Sequence, residues 1–599
     1  MMSLFFKAVL CPAVILFVSL APCLPAPLPW SKSYTIQPGV PATTLFGTIY
    51  AQQGGSFGFV LIGASQETSS GESRLVPSLG RFDDSGNPLW SVSLDGGPGS
   101  SEPRLGALSD LTRLQAAYTT ASDTYRVGVY RGGNRTKVFA VEVDVFDPDF
   151  DGVILDEAPR FFDNGDVALV ELGDAAVKVT VLDAAGAKKI DKTYAANVFG
   201  APPGSFIPPT GALGFEPLGD GSGYLLTVSI SVPTFLTVPP FSFSYDNTIS
   251  LLCLDNAGAL RWAKSITMND TGGEVSGTSW PAPSGQIILT LSETTALAGL
   301  SEDAHILRFA SNGSLTWART VADTAPNFVR VEGNDLWYFA LSGDRSDVKA
   351  LRMNEATGSV IAQATLDSGM TDEGVGAGLV GGRVFFRLQS APGLSATEPR
   401  QAYALSLDAN LQNPVTRKYK KPVAGLTMGH HAPSGGFIFS PYDAAGNVDV
   451  VSLNTALQPV TDCDLFTNAT LSVVNTGISA TPLSITAATL GVTVANANTV
   501  LTPTDITLQP VTLTAASLCG SGGTPAAPRL AIRPATGGGF EIRFGSESGV
   551  SYEVRFSSAV AGPYDTLIAT LAGTGAELVH HIGAPASGNG YYVVRAVRR

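Results

Sequence analysis

Short apolar runs dominate the chain, most of them seven to ten residues long with alternating character, and turn-forming residues separate them. That pattern predicts strands joined by tight turns. The alternation is organised by a recurring unit: an apolar residue, a Gly four positions on and a large apolar residue eight positions on. Three copies nearly superimpose: Phe82, Gly86, Trp90; Leu254, Gly258, Trp262; and Phe309, Gly313, Trp317. A fourth runs Leu182, Gly186, Ile190. The eight-residue step persists without the Gly at Tyr130 to Val138, Met353 to Ile361, Leu407 to Val415 and Leu453 to Thr461.

Each copy reads as two strands around a turn in which Asp or Asn caps the bend and Gly takes a positive φ, as in Asp255-Asn256-Ala257-Gly258. Two further strand-like runs precede each turn, for example Phe57 to Ala64 and Tyr224 to Ser231, so each unit holds four strands. From Phe82 to Leu453 there are 371 positions in seven steps, a mean of 53. Such units cannot bury both faces alone and must stack. The expected fold is therefore all-β: an eight-bladed β-propeller over 33–465, with seven blades as the alternative, closed by the run Ser33 to Gln37 pairing with the last blade. The Trp residues recur at one repeat position and are read as packing between blades.

The pattern in Leu79 to Leu94, Leu251 to Ile266 and Ile306 to Val321 resembles the outer strands of secreted bacterial β-propellers with quinoprotein-like repeats. The resemblance covers roughly residues 40 to 465 and implies a fold. Propellers of this shape serve as dehydrogenases, lyases, adhesins and assembly scaffolds.

Beyond the repeat, 466–523 shifts to Thr, Ala, Val, Ser and Asn with few charges, and is expected to form a small β module clamped by a Cys463–Cys519 disulfide. Closing that loop would stabilise by roughly 4 kcal/mol in the chain-entropy picture, with two free thiols as the alternative. A Gly/Ser/Pro linker, Gly520 to Pro525, leads to a last module over 528–599, whose alternation at Phe540 to Phe544 and Tyr552 to Phe556 resembles a short β-sandwich.

The start of the chain carries an address. Lys7 precedes an apolar run from Ala8 to Leu20, too short to span a membrane, and 1–23 reads as a secretory signal peptide cut between Ala21 and Ala26. A lipoprotein box at Ser19 to Cys23 ranks second, since Pro22 stands where a small residue is expected. No later segment holds 18 uninterrupted apolar residues, so the mature chain is expected to be secreted or at the cell surface, with the periplasm as alternative, and not an integral membrane protein. Cys253, between Leu252 and Leu254, reads as an unreactive thiol. The charge of −14, from 37 Lys+Arg and 51 Asp+Glu, disfavours nucleic acid and anionic lipid.

Candidate chemistry is sparse. Asp147, Asp149 and Asp151, with Gly152, have the one-three-five spacing of a calcium loop, but Ala158 stands where a bidentate Glu is expected. The reading is calcium or, equally simply, an acidic link between blades. His305, His430-His431 and His580-His581 lack zinc spacing, and the chain has no adjacent Cys pair of the kind that quinoprotein alcohol dehydrogenases carry. The run Arg417 to Lys421 reads as a charged, solvated strand edge.

Loop length points to one face. Long second-to-third-strand connections recur at Ser65 to Arg74, Val232 to Asn247, Glu293 to Ala304 and Gln389 to Gln401. The longest carries Phe235, Phe241, Phe243 and Tyr245 among prolines, an aromatic surface suited to a sugar or a peptide. The expected function is a non-catalytic binding or adhesion protein recognising a polysaccharide or a surface protein. The alternative is an enzyme on the same face: a quinoprotein-like dehydrogenase or a carbohydrate-active lyase or hydrolase.

Overall fold

The computed structural model describes residues 31–597 apart from turns and connections, the longer being 37–45, 52–56, 67–72, 83–86, 95–100, 108–111, 145–152, 155–158, 200–209, 237–241, 296–302, 392–399, 427–436, 460–463, 519–529, 547–550, 558–565 and 584–590. The signal segment 1–23 therefore lies outside the described residues. Of these residues, no helix is long and apolar enough to cross a membrane.

The described strands include eight sheets in chain order, each built on a four-strand antiparallel meander; the fourth also carries Val153–Ile154, parallel to Thr210–Pro217. The first runs through Phe46–Ala51, Phe57–Gln66, Ser73–Phe82 and Pro88–Leu94, and the fourth through Thr210–Pro217, Gly223–Leu236, Ser242–Asp255 and Leu260–Thr271. The eighth takes its outer strand from the other end of the chain: Ser31–Ile36 pairs with Asn447–Leu453, Ser31 facing Val451 and Thr35 facing Asn447. Neighbouring sheets share apolar clusters, for example Tyr194, Phe215 and Leu254 between the third and fourth, and Trp317, Tyr338 and Met353 between the fifth and sixth. The eighth meets the first where the Tyr34 and Phe82 rings lie edge to face at 4.7 Å.

The turns carry the signature that the spacing predicted. Asp255 Oδ1 accepts from the Ala257 and Ala259 amides, both at 2.8 Å, and Asp408 and Asn454 do the same in turns that lack the Gly. Gly186, Gly258, Gly313 and Gly358 have positive φ, and Leu411 and Leu457 hold that conformation at 58° and 55° where the Gly is missing. The Gly is needed because the large residue of the preceding sheet lies against it. A Cβ on Gly313 would sit 2.6 Å from the Trp262 ring, and one on Gly358 would sit 2.8 Å from Trp317. The indole N–H groups donate into the same turns, Trp262 to the Ser311 carbonyl and Trp317 to that of Glu355, each at 2.9 Å. The tryptophans are thus packing residues between sheets.

One expectation is corrected here. Residues 466–517 do not form a module of their own. Their eight short strands each add a fifth strand to the outer edge of one sheet, and they visit the sheets in reverse order. Phe466–Asn468 pairs with the outer strand of the seventh sheet and Ser472–Val474 with the sixth. Ala480–Pro482, Ala488–Thr489, Thr493–Asn496, Thr502–Pro503 and Leu508–Pro510 follow on the fifth to the first. Leu513–Ser517 ends on the Ser31–Ile36 strand of the eighth. The segment is a belt, because its few apolar side chains find a core only in the clefts between sheets: Leu471, Leu490 and Ile506 are buried there. The belt also covers the strand carrying Arg417 and Lys418, so that edge is closed by pairing and not by its charge. After it, Ala531–Val597 gives two three-stranded sheets around Ile542, Phe544, Tyr552 and Val554.

A buried imidazole sets a pH dependence. His305, 7% exposed in the fifth sheet, lies 3.0 Å from Thr320 Oγ1, and burial holds it below its ordinary value. The unfolded chain therefore takes up a proton that the folded one resists, so stability is complete above about pH 6.5 and declines as pH falls through that value. Urea midpoints should be lower at pH 5.5 than at 7.5, and the gap should narrow in His305→Gln; an unchanged gap would remove His305 from the account.

Candidate functional site

The long connection from Val232 to Asn247 is mostly strand. The second and third strands of the fourth sheet run 14 residues each, pairing from Gly223 with Asp255 out to Leu236 with Ser242. The first strand stops pairing at Thr210 with Ser231. Beyond that point the hairpin runs past the first strand, while the fourth strand still accompanies it to Tyr245 with Thr271.

A small recess, with a cavity volume of about 20 Å³, opens at the base of this hairpin, lined by Thr210, Gly211, Ala212, Ser229, Ser231, Glu274, Val275 and Ser276. Its chemistry follows from strand register. On the second strand, Leu225 packs in the apolar cluster between the fourth and fifth sheets, while Ser229 and Ser231, on the same face two and three pairs further out, are hydroxyls. The row thus changes from apolar to polar as it approaches the hairpin. Glu274 enters from the first strand of the fifth sheet, Gly273–Pro281, and its Oε1 accepts from Thr210 Oγ1 at 2.8 Å.

Fully buried Asn247 holds the recess together. Its Oδ1 accepts from Ser231 Oγ at 2.5 Å and from the Val275 amide at 2.9 Å, and its Nδ2 donates to the Gly273 carbonyl at 3.2 Å. One amide side chain thereby fixes the hairpin base to the next sheet. Tyr245 lies on the same strand face, two positions out. Burial, with the Glu274 carboxylate nearby, raises its phenol above the ordinary value. The recess is thus lined by one carboxylate and four hydroxyl side chains beside a neutral phenol, with Thr210 and Ser231 already donating within it and Ser229 accepting from the Gly277 amide.

Of the four aromatic residues expected to form a surface, Tyr245 has a described side chain. Tyr245 is 8% exposed and packs inward. Phe235 and Phe243 are paired with each other across the hairpin backbone, and Phe241 lies outside the described residues. The calcium loop Asp147, Asp149, Asp151 lies outside them too, as do Cys463, Cys519 and His430-His431. Among the described residues no three His, Cys, Asp or Glu side chains come together as a metal site. Glu274 and Asn247 were not singled out by sequence reasoning. The signal for Asn247 was its place in the inward row Asn247, Ile249, Leu251, Cys253, where a polar residue must find partners.

A second polar cluster joins the third and fourth sheets. Tyr224 donates to Asp166 Oδ2 at 2.5 Å, and Lys189 Nζ donates to the same oxygen and to the Tyr224 hydroxyl, both at 2.8 Å. All three groups satisfy one another, and the cluster clips two sheets together.

No family model matches the chain, and no curated protein matches it in sequence. Among solved structures it is similar to a prolyl endopeptidase at 13% identity and a TM-score of 0.33, over 67% of this chain and 53% of that one, so it spans about half of that protein's length. It is similar to the β-propeller domain of the Trilobed protease from Pyrococcus furiosus at 10% identity and a TM-score of 0.30, over 62% of this chain and 100% of that one. The corresponding figures for a Synechocystis apocarotenoid oxygenase mutant are 11%, 0.30, 76% and 98%. The chain is an all-β protein of repeated sheets with β-propeller proteins among its structural neighbours.

Proposed function

We propose that this chain is an exported eight-bladed β-propeller that binds a polysaccharide, without turning it over, on the face where the Gly223–Asp255 hairpin projects. What supports the reading is the small recess at the hairpin base, lined by Glu274, Thr210, Ser229, Ser231 and Ser276, beside a long two-stranded arm. Hydroxyl-rich ligands match such a mixed array, because each sugar hydroxyl both donates and accepts. The eight-bladed count rests on the eight four-strand meanders and on the Tyr34–Phe82 contact between the last sheet and the first. Export rests on the charge and apolar run of 1–23.

The test replaces residues 233–245 by an Asn-Gly turn and measures retention on immobilised neutral and acidic glycans, with an immobilised protein panel alongside. The expected result is glycan retention by the intact chain, an affinity loss of about tenfold or more in the shortened variant, and an unfolding temperature kept within a few degrees. Glu274→Gln should weaken retention severalfold. Retention of proteins alone would replace the ligand class, and release of glycan products would overturn the non-catalytic reading.

A further inference from the structure

The belt advances by one sheet every seven residues. From the fifth sheet down to the first and on to the eighth, its strands end at Pro482, Thr489, Asn496, Pro503, Pro510 and Ser517, a pitch set by the distance from one cleft to the next. Side chains that enter the clefts keep the same step. Leu471 meets the cluster between the sixth and seventh sheets, Ile478, Ile485 and Val492 meet the next three in turn, and Ile506 meets the cluster between the first and second. The row breaks at Thr499. Its hydroxyl lies 3.0 Å from that of Thr180, which is fully buried and stands opposite Leu169 on the face that the third sheet turns to the second. The backbone is held at the same point: the Thr499 amide donates to the two Asp191 carboxylate oxygens at 3.3 and 3.2 Å, and Lys188 Nζ donates to the Thr499 carbonyl at 2.9 Å.

We propose that Thr499 is the register pin of the belt, the residue that tells each strand which sheet it belongs to. Every step offers a similar outer edge and a similar apolar cleft, so burial alone discriminates weakly between the native belt and one displaced by seven residues. The bonds to Asp191 and Lys188 use only the backbone and would accept almost any residue. The hydroxyl pair would not. A belt displaced by one sheet brings Val492 or Ile506 to Thr180 and carries Thr499 into a cleft lined by apolar side chains, so two buried hydroxyls lose their partners at once. A single polar residue in an apolar repeat fixes the alignment of coiled coils in the same way.

The experiment refolds the full chain from urea and follows hydrogen exchange of the outer strands at the two ends of the circuit, Val415–Tyr419 and Ser31–Ile36, one of which a displaced belt leaves uncovered. The wild type is expected to give one protected population. Thr180→Val/Thr499→Val replaces both partners by apolar groups of the same shape, so it should unfold within a few degrees of the wild type, yet refold with a second population, about a tenth of the molecules or more, that exchanges faster at one of those strands. Thr499→Ser, which keeps the hydroxyl, should give one population. If the double variant does not fold, Thr499→Val alone is read in the same way. A single population in the valine variant, whatever its stability, would overturn the proposal and leave the pair as a hydrogen bond only; two populations in the wild type or in Thr499→Ser would overturn it too.

Discussion

A chain ending at Asp464 is expected to aggregate or to lose cooperative unfolding. The belt supplies the fifth strand of every one of the eight sheets, and without it each outer strand presents a row of unpaired amides and carbonyls, a template for pairing with other chains. The apolar loss is also large. Leu471, Leu490 and Ile506 leave the clefts between sheets, and at about 1.5–3 kcal/mol for each buried side chain this removes about 5–9 kcal/mol, comparable with the whole stability of a typical domain. The Tyr130 hydroxyl, buried and bonded to the Ile506 carbonyl at 2.6 Å, loses its acceptor as well. Light scattering and thermal unfolding of the truncated and full chains give the comparison, and Leu471→Asp and Ile506→Asp give graded versions in a chain that keeps its belt. A truncated chain that stays dispersed and melts within a few degrees of the full one would show that the belt is merely laid on the surface.

What could be read in advance, and what could not, divides along a physical line. The turns were legible because local backbone chemistry fixes them: an Asp that accepts two amides and a Gly with positive φ leave the same letters at Asp183 and Gly186 and at Asp255 and Gly258, and one of the two in other copies. The pairing of the start of the chain with the last sheet was legible in part: the run Ser33 to Gln37 was read as that partner, and the paired strand is Ser31–Ile36. The belt was not legible. Its strands are two to five residues long and touch a sheet along one edge only, so no alternation builds up. The spacing of Leu471, Leu490 and Ile506 is set by the distance between clefts and not by any local period. The stretch from Val232 to Asn247 was read as a long connection, yet most of it is paired strand, and beyond Ser231 the second strand has lost its neighbour on one side. A proline there gives up an amide that had no partner to meet.

Exchanging the two kinds of turn between sheets is expected to produce strongly non-additive stability changes. In the fourth and fifth sheets the indole meets a Gly of the next turn, Trp262 against Gly313 and Trp317 against Gly358, whereas Trp90 of the first sheet lies under Arg135, which holds positive φ in its turn. In the sixth sheet the matching position, paired with Arg352 as Trp317 is with Arg308, is Ala362, and the turn that follows carries Leu411, fully buried in the cluster that Ala362 also borders. Leucine at φ 58° costs about 1–2 kcal/mol of backbone strain, so it is kept because its side chain fills the space that an indole occupies elsewhere. Leu411→Gly relieves the strain but empties that space, at a net cost of about 1–3 kcal/mol. Ala362→Trp alone forces an indole against Leu411, at about 1–3 kcal/mol or more. Together the two rebuild the Trp317–Gly358 arrangement, and the Ala409 carbonyl, which accepts from Arg352 at 3.1 Å, has a second lone pair for the indole N–H. The double variant should therefore recover at least about 2 kcal/mol relative to the sum of the single changes, a coupling well above the scatter of independent sites. Urea unfolding of the four chains measures it; additivity within about 0.5 kcal/mol would mean that turn and facing residue are chosen independently in each sheet.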